Sequence, residues 1–72
     1  MRSPLTEHLP DAANYSDLGV MRSNAGWYIG TYYRDPRYGW AEPGSRDSQY
    51  YATSEEASQA FKDKSWDQRE NP

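Results

Sequence analysis

Few residues of this chain have side chains that enzymes use for catalysis. The single histidine, His8, would have to supply the base of any Ser-His-Asp set, and it lies between two prolines in an N-terminal segment. A catalytic triad needs rigid geometry, which this partly ordered segment is not expected to provide. We therefore predict that His8 is solvent-exposed. Glu55 and Glu56 are the only adjacent carboxylates, and a position at the start of a helix explains them without catalysis. The sequence therefore predicts that the protein is not an enzyme.

Metal ions and nucleotide cofactors are not expected either. The chain has no cysteine and one histidine, too few ligands for a transition-metal site. Its five glycines form neither the Gly-x-Gly-x-x-Gly pattern nor a P-loop. Because 72 residues without a disulfide build only a small core, we expect dense aromatic packing, a partner or a second copy of the chain.

Aromatic and arginine side chains are the most informative feature of the sequence. Trp, Tyr and Phe make up 15% of the chain, whereas valine and isoleucine occur once each. Some of these rings must replace aliphatic side chains in the core, but a sheet covered by one helix leaves its other face open. Tyr and Arg are enriched where proteins bind one another. We predict a partner-binding surface that consists of Tyr28, Tyr32, Arg34, Arg37, Tyr38, Trp40 and Arg46.

The charge balance favours a protein partner over a nucleic acid. Eight Lys and Arg and eleven Asp and Glu give a net charge of −3. Binding to a nucleic-acid backbone favours net positive charge. The acidic groups would instead steer the chain toward a basic site on a host protein, and the arginines would pair with carboxylates there.

Three short strands and one helix are expected to position these side chains. The clearest strand covers residues 26–35, which are rich in aromatic and β-branched types. A turn at residues 35–39 leads to a short strand at 40–42, which Pro43-Gly44-Ser45 ends. Residues 49–52 are expected to form the third strand.

Alternation along the strand at residues 26–35 predicts which side chains point toward the core. The face that is expected to be buried carries Trp27, Ile29, Thr31 and Tyr33. The face that is expected to stay open carries Tyr28, Gly30, Tyr32 and Arg34.

The C-terminal helix has clear start and stop signals. Thr53-Ser54-Glu55-Glu56 is a capping box, in which a Thr hydroxyl and a Glu carboxylate satisfy free backbone N–H groups. Ala57, Ala60 and Phe61 form an apolar stripe at helical spacing. Trp66 lies just beyond the helix and is expected to fold back on the sheet.

The predicted fold is therefore α+β, with a small antiparallel sheet of two to three strands and one C-terminal helix packed on one face, in the order β-β-β-α. Residues 1–24 are expected to form a partly ordered N-terminal arm, residues 25–66 the domain and residues 67–72 a polar tail. No run approaches the ~20 apolar residues of a membrane span. Residues 1–9 lack the apolar centre of a signal peptide, so we predict a cytoplasmic location.

The segment from Trp27 to Phe61 loosely resembles the arm-binding domain of phage integrases, which has a three-stranded sheet followed by one helix. The resemblance is carried by Gly26-Trp27-Tyr28-Ile29 and by Thr53-Ser54-Glu55-Glu56-Ala57. It implies a sheet that reads DNA, although that family is basic on its sheet and this chain has a net charge of −3.

Three functions are compatible with the sequence. The first is a non-enzymatic protein-binding module, an inhibitor from a phage or mobile element of the anti-CRISPR or anti-defence kind, which occludes a host protein in the host cytoplasm. Small, acidic, cysteine-free single domains are common among such products. The second is a nucleic-acid-binding accessory domain that uses the sheet face. The third is a structural subunit that buries its open face in a homodimer.

Overall fold

A computed structural model of the chain describes residues 1–71. It contains a short 3-10 helix, three strands and one α-helix: Ala12–Asn14, β1 at Gly19–Ser23, β2 at Gly26–Arg34, β3 at Ala41–Arg46 and α1 at Ser54–Asp63. The strands form one antiparallel sheet in the order β1-β2-β3, and α1 contacts β1 and β2. The predicted β-β-β-α architecture is confirmed.

The first and third strands are not where the sequence placed them. β1 lies inside the segment predicted as an arm, so the strand predicted to be first is the central one. Residues 49–52 form no strand, and only Tyr51 pairs there, in an isolated bridge with Trp27. The prediction omits β1 because its sequence, Gly-Val-Met-Arg-Ser, holds a single β-branched residue. Its strand conformation follows from pairing with β2.

β3 is longer than predicted and continues through Pro43 and Gly44. A proline is tolerated because β3 is an edge strand, where a missing N–H can face away from the sheet. Gly44 allows close packing, since a Cβ there would lie 2.8 Å from Thr31 Oγ1 and 2.9 Å from the Tyr15 ring. Residues that normally end a strand are therefore accommodated at this edge.

A small apolar core lies between the sheet and α1. Ile29 is fully buried at its centre, with Leu18 and Ala60 beside it. Tyr51, Phe61 and Trp66 pack around these residues, and Trp66 stacks on Phe61 at 6.0 Å between ring centroids. Of the predicted core face of β2, Ile29 and Thr31 are buried, whereas Trp27 and Tyr33 are half-buried. Trp66 was predicted to fold back on the sheet, and it does fold back, but it stacks on the helix residue Phe61 beside the core.

The caps of α1 explain its bounds. The Thr53 hydroxyl accepts a hydrogen bond from the Glu56 N–H at 3.1 Å, as the capping box predicts. The Glu56 carboxylate accepts from that same hydroxyl at 3.2 Å, rather than from the Thr53 N–H. At the other end Lys64 adopts the left-handed conformation, with φ 54°, and its N–H bonds back into the last turn.

A buried polar network lies beside this core. The Asp47 carboxylate is fully buried and accepts hydrogen bonds from Ser45 Oγ at 2.7 Å, Gln68 Nε2 at 2.9 Å and Ser3 Oγ. Ser3 lies in the predicted arm and Gln68 in the predicted tail, whose last residue, Pro72, lies outside the described residues. One side chain thus attaches both terminal segments to the sheet.

Replacing Asp47 with Ala should lower the free energy of unfolding by about 2–4 kcal/mol, because the buried hydroxyls of Ser3 and Ser45 and the Gln68 amide lose their acceptor. Urea unfolding followed by circular dichroism measures this change. The control is Asp63→Ala, which removes an exposed carboxylate and should change stability by less than about 0.5 kcal/mol. Equal stabilities of the two variants would show that the network contributes little.

Candidate partner-binding surface

The loop between β2 and β3 presents a stacked pair of exposed aromatic rings. The Asp35 carboxylate accepts from the Arg37 N–H at 2.8 Å, and the Asp35 carbonyl accepts from the Gly39 N–H at 2.9 Å. Gly39 has φ 81°, a conformation that favours glycine and closes the turn. The Tyr38 and Trp40 rings then lie 5.2 Å apart and 10° from parallel. They are 61% and 63% exposed, although stacked rings of this size are usually buried in a core or an interface.

Two arginines flank this aromatic pair in different electrostatic situations. Arg37 forms an ion pair with Asp35 at 3.2 Å, and its guanidinium carbon lies 5.5 Å from the centre of the Tyr38 ring. Hydrogen bonds from Arg37 hold the pKa of the Asp35 carboxyl below its usual value. Arg34 donates to the Gly39 carbonyl, and it forms no ion pair among residues 1–71. Arg37 therefore stabilises the loop, whereas the charge of Arg34 is uncompensated.

A groove of ≈ 530 Å³ begins beside the loop. One wall of the groove is the segment that precedes β1 in the chain and runs beside β2. Ser16 of this segment and Tyr32 of β2 exchange two hydrogen bonds of 2.9 Å. Tyr32 is 50% exposed in this groove and Arg34 lies at its end. We call the set Tyr32, Arg34, Arg37, Tyr38 and Trp40 the hairpin surface.

Tyr28 lies on the face that was predicted to be open, but it is only 5% exposed. Its ring covers Gly30, because a Cβ at Gly30 would lie 2.9 Å from Tyr28 Cε2. Tyr50 contacts Tyr28 edge-on at 5.8 Å. Burial raises the pKa of the Tyr28 phenol, the neighbouring Tyr50 and Tyr32 raise it further, and the Arg46 charge lowers it. The expectation that the face stays open at Tyr28 and Gly30 is wrong, since the Tyr28 ring packs over Gly30 and is itself buried.

Arg46 lies at the far end of β3, away from the loop. It pairs with Gly30 in the sheet, its guanidinium stacks 4.2 Å above the Tyr50 ring, and it donates to the Ser48 carbonyl at 2.7 Å. The seven predicted residues therefore fall into two groups, five on the hairpin surface and Arg46 and Tyr28 around Tyr50. The predicted site omits Tyr15, which lines the groove, and it omits Tyr50 and Arg69, which line a pocket together with Arg46. The doublet Tyr50-Tyr51 could have indicated an exposed ring here, because one ring of such a pair must point outward.

The residues considered for catalysis and metal binding are not brought together. His8 is exposed as predicted, and Glu55 and Glu56 lie in the first turn of α1. Within residues 1–71 there is no group of three His, Cys, Asp or Glu side chains that could hold a metal ion. Over the same residues, no helix combines the length and the apolar character that crossing a bilayer requires.

The fold and the surface define a small α+β domain that has one helix on its sheet and an exposed aromatic-arginine loop. A comparison of the chain with protein-family models, with curated proteins and with solved structures found no match in any of the three. The resemblance to integrase arm-binding domains stays a prediction.

Removing both rings of the loop should leave the fold intact. We expect Tyr38→Ala/Trp40→Ala to change the free energy of unfolding by less than about 1 kcal/mol, because most of both side chains already contacts water. The comparison variant, Ile29→Ala, should lose about 2–5 kcal/mol because it opens a cavity in the core. Chemical unfolding measures both. A loop variant as unstable as Ile29→Ala would show that the rings are part of the core.

Three buried or half-buried tyrosines should make the protein sensitive to alkaline pH. Burial raises the pKa of Tyr28, Tyr33 and Tyr51 above the usual value near 10. The unfolded chain thus loses these protons first, so the contribution of these tyrosines to stability is constant below about pH 10 and is lost as the pH rises toward the folded-state values. Urea unfolding between pH 8 and 11 measures the fall. Tyr28→Phe should reduce the slope, and an unchanged slope would exclude Tyr28 as a cause.

Proposed function

We propose that this protein is a non-enzymatic protein-binding module whose hairpin surface contacts another protein. The observation that carries the proposal is the stacked Tyr38–Trp40 pair, of which more than half is exposed on an ordered loop. Aromatic and arginine side chains dominate the binding energy of protein interfaces. Here both types lie together, with Arg34 unpaired among the described residues.

The loop is organised before any partner arrives, which supports a binding role. The Asp35–Arg37 ion pair and the hydrogen bond of Arg34 to Gly39 hold the backbone that carries the rings. A surface that is ordered in the free protein loses less conformational entropy on binding. A fully buried aromatic side chain covers roughly 150–250 Å², and more than half of the surface of each ring is still free to contact a partner. The hairpin surface thus combines a large apolar area with a low ordering cost.

The mechanism that fits such a surface is steric, since a partner site covered by this domain cannot be used by another ligand. Carboxylates on the partner would pair with Arg34, and its apolar side chains would pack on the rings. An origin in a phage or mobile element, an anti-CRISPR or anti-defence target and a cytoplasmic location stay predictions.

Affinity capture from a bacterial lysate, with and without nuclease, tests the proposal. We expect the wild-type chain to retain a protein in both runs and Tyr38→Ala/Trp40→Ala to lose it. The matched control is Gln59→Ala/Lys62→Ala on the exposed side of α1, which should retain it. Retention by the loop variant would contradict the assignment of the hairpin surface.

Two other outcomes of this experiment would each favour a different function. A nuclease-sensitive capture would favour the nucleic-acid alternative, for which the arginines on the face opposite α1 are the supporting observation. Recovery of the chain alone, with a dimeric mass in light scattering, would favour self-association.

With the partner identified, the contributions of single residues can be measured. Trp40→Ala should weaken binding by about 30-fold or more, because a central aromatic in an interface contributes about 2 kcal/mol or more. Tyr32→Ala/Arg34→Ala should abolish detectable binding while the circular dichroism spectrum is unchanged. Isothermal titration calorimetry checks both values, and full affinity in the double variant would contradict the site.

A further inference from the structure

A second pocket lies on the sheet face opposite α1. It is near the C-terminal end of β3, the end that is farther from the β2–β3 loop. It has a volume of ≈ 430 Å³. Its lining consists of Ser23, Tyr28, Pro43, Gly44, Ser45, Arg46, Tyr50 and Arg69. The lining thus contains two arginines and no carboxylate. The volume lies in the range of small-molecule sites, which is about 300–1,000 Å³.

Both arginines of this pocket are held in place by the fold. Arg46 donates from Nη1 to the Ser48 carbonyl at 2.7 Å while its guanidinium lies 4.2 Å above the Tyr50 ring. Arg69 donates from Nη1 to the Arg46 carbonyl at 3.1 Å, and its backbone N–H bonds the Asp47 carbonyl at 2.8 Å. These bonds leave most N–H donors of both guanidinium groups available.

Neither arginine of this pocket forms an ion pair within the part of the chain that the structure describes. The ion pairs there involve Arg2, Arg37 and the N-terminal amine, and neither Arg46 nor Arg69 takes part in one. Both side chains are half-buried, so solvent screens their charges less than at an exposed site. Two positive groups beside one cavity favour a bound anion.

We propose that this pocket binds an oxyanion, either a phosphate or a carboxylate, that is carried by a small organic molecule. Arg46 and Arg69 would donate charge-assisted hydrogen bonds to the anion, which guanidinium groups do with two parallel bonds. The half-exposed Tyr50 ring would pack against the rest of the ligand. The site does not depend on the hairpin surface, because it shares no residue with it.

Nuclear magnetic resonance titration tests this site with inorganic phosphate and, separately, with acetate, at constant ionic strength set by sodium chloride. We expect saturable shifts of the backbone amides of Arg46, Tyr50 and Arg69 with at least one anion. Arg46→Gln and Arg69→Gln should each weaken this binding by roughly tenfold or more. The matched control is Arg22→Gln, because Arg22 also lies over an aromatic ring, 5.5 Å from the centre of Trp27, but outside the pocket.

The two anions distinguish the two ligand classes. A stronger effect of phosphate assigns a phosphorylated ligand, and a stronger effect of acetate assigns a carboxylate. Shifts that sodium chloride alone reproduces, or that persist unchanged in Arg46→Gln, would overturn the proposal.

A second measurement covers the case in which the variants fail to fold. The melting temperature of the wild-type chain should rise with the concentration of the binding anion, relative to sodium chloride at equal ionic strength. No rise with either anion would overturn the proposal. Tyr38→Ala/Trp40→Ala should show the wild-type rise, so the result does not depend on the function proposed for the hairpin surface.

Discussion

The rest of this structure depends on the burial of one carboxylate, that of Asp47. A buried charge is stable only where hydrogen bonds replace its hydration. Here neutral donors do so, and they come from three parts of the chain, at Ser3, Ser45 and Gln68. No cation is paired with the carboxylate among residues 1–71. Because each donor must reach the same two oxygen atoms, the N-terminal segment, β3 and the C-terminal segment are fixed relative to one another.

The same network determines how β3 and the residues after it are held against β2. Thr31 Oγ1 accepts from the Ser45 N–H at 2.9 Å and lies 2.8 Å from Ser45 Oγ. Since the Ser45 hydroxyl hydrogen goes to Asp47, the Thr31 hydroxyl donates to Ser45. The Ile29 N–H bonds Ser48 Oγ at 2.8 Å. Hydroxyl groups thus supply a specificity that the small apolar core cannot, and they anchor the β2–β3 hairpin whose loop carries the exposed rings.

Part of this structure could be predicted from local patterns in the sequence. The cap at Thr53, the central strand around Ile29 and the exposed rings at Tyr32, Tyr38 and Trp40 follow from residue type and alternation. Non-local contacts explain what was missed. β1 has little strand propensity and is stabilised by pairing, and Tyr28 is buried because Gly30 leaves room for its ring. The Asp47 network joins side chains 44 and 21 positions apart, which no local pattern reveals.

The net charge of −3 is a poor guide to what this chain binds, because its charges are unevenly distributed. The carboxylates include Asp35, which neutralises Arg37, and Asp47, which is buried, and neither presents a charge to a partner. Glu55 and Glu56 lie on α1, on the other side of the sheet. The strand residues of the opposite face include Arg34 and Arg46 and no carboxylate, as the register of β2 and β3 shows. An acidic chain therefore carries aromatic rings and arginines without carboxylates on one sheet face, and the ligands proposed for that face rest on these arginines rather than on the total charge.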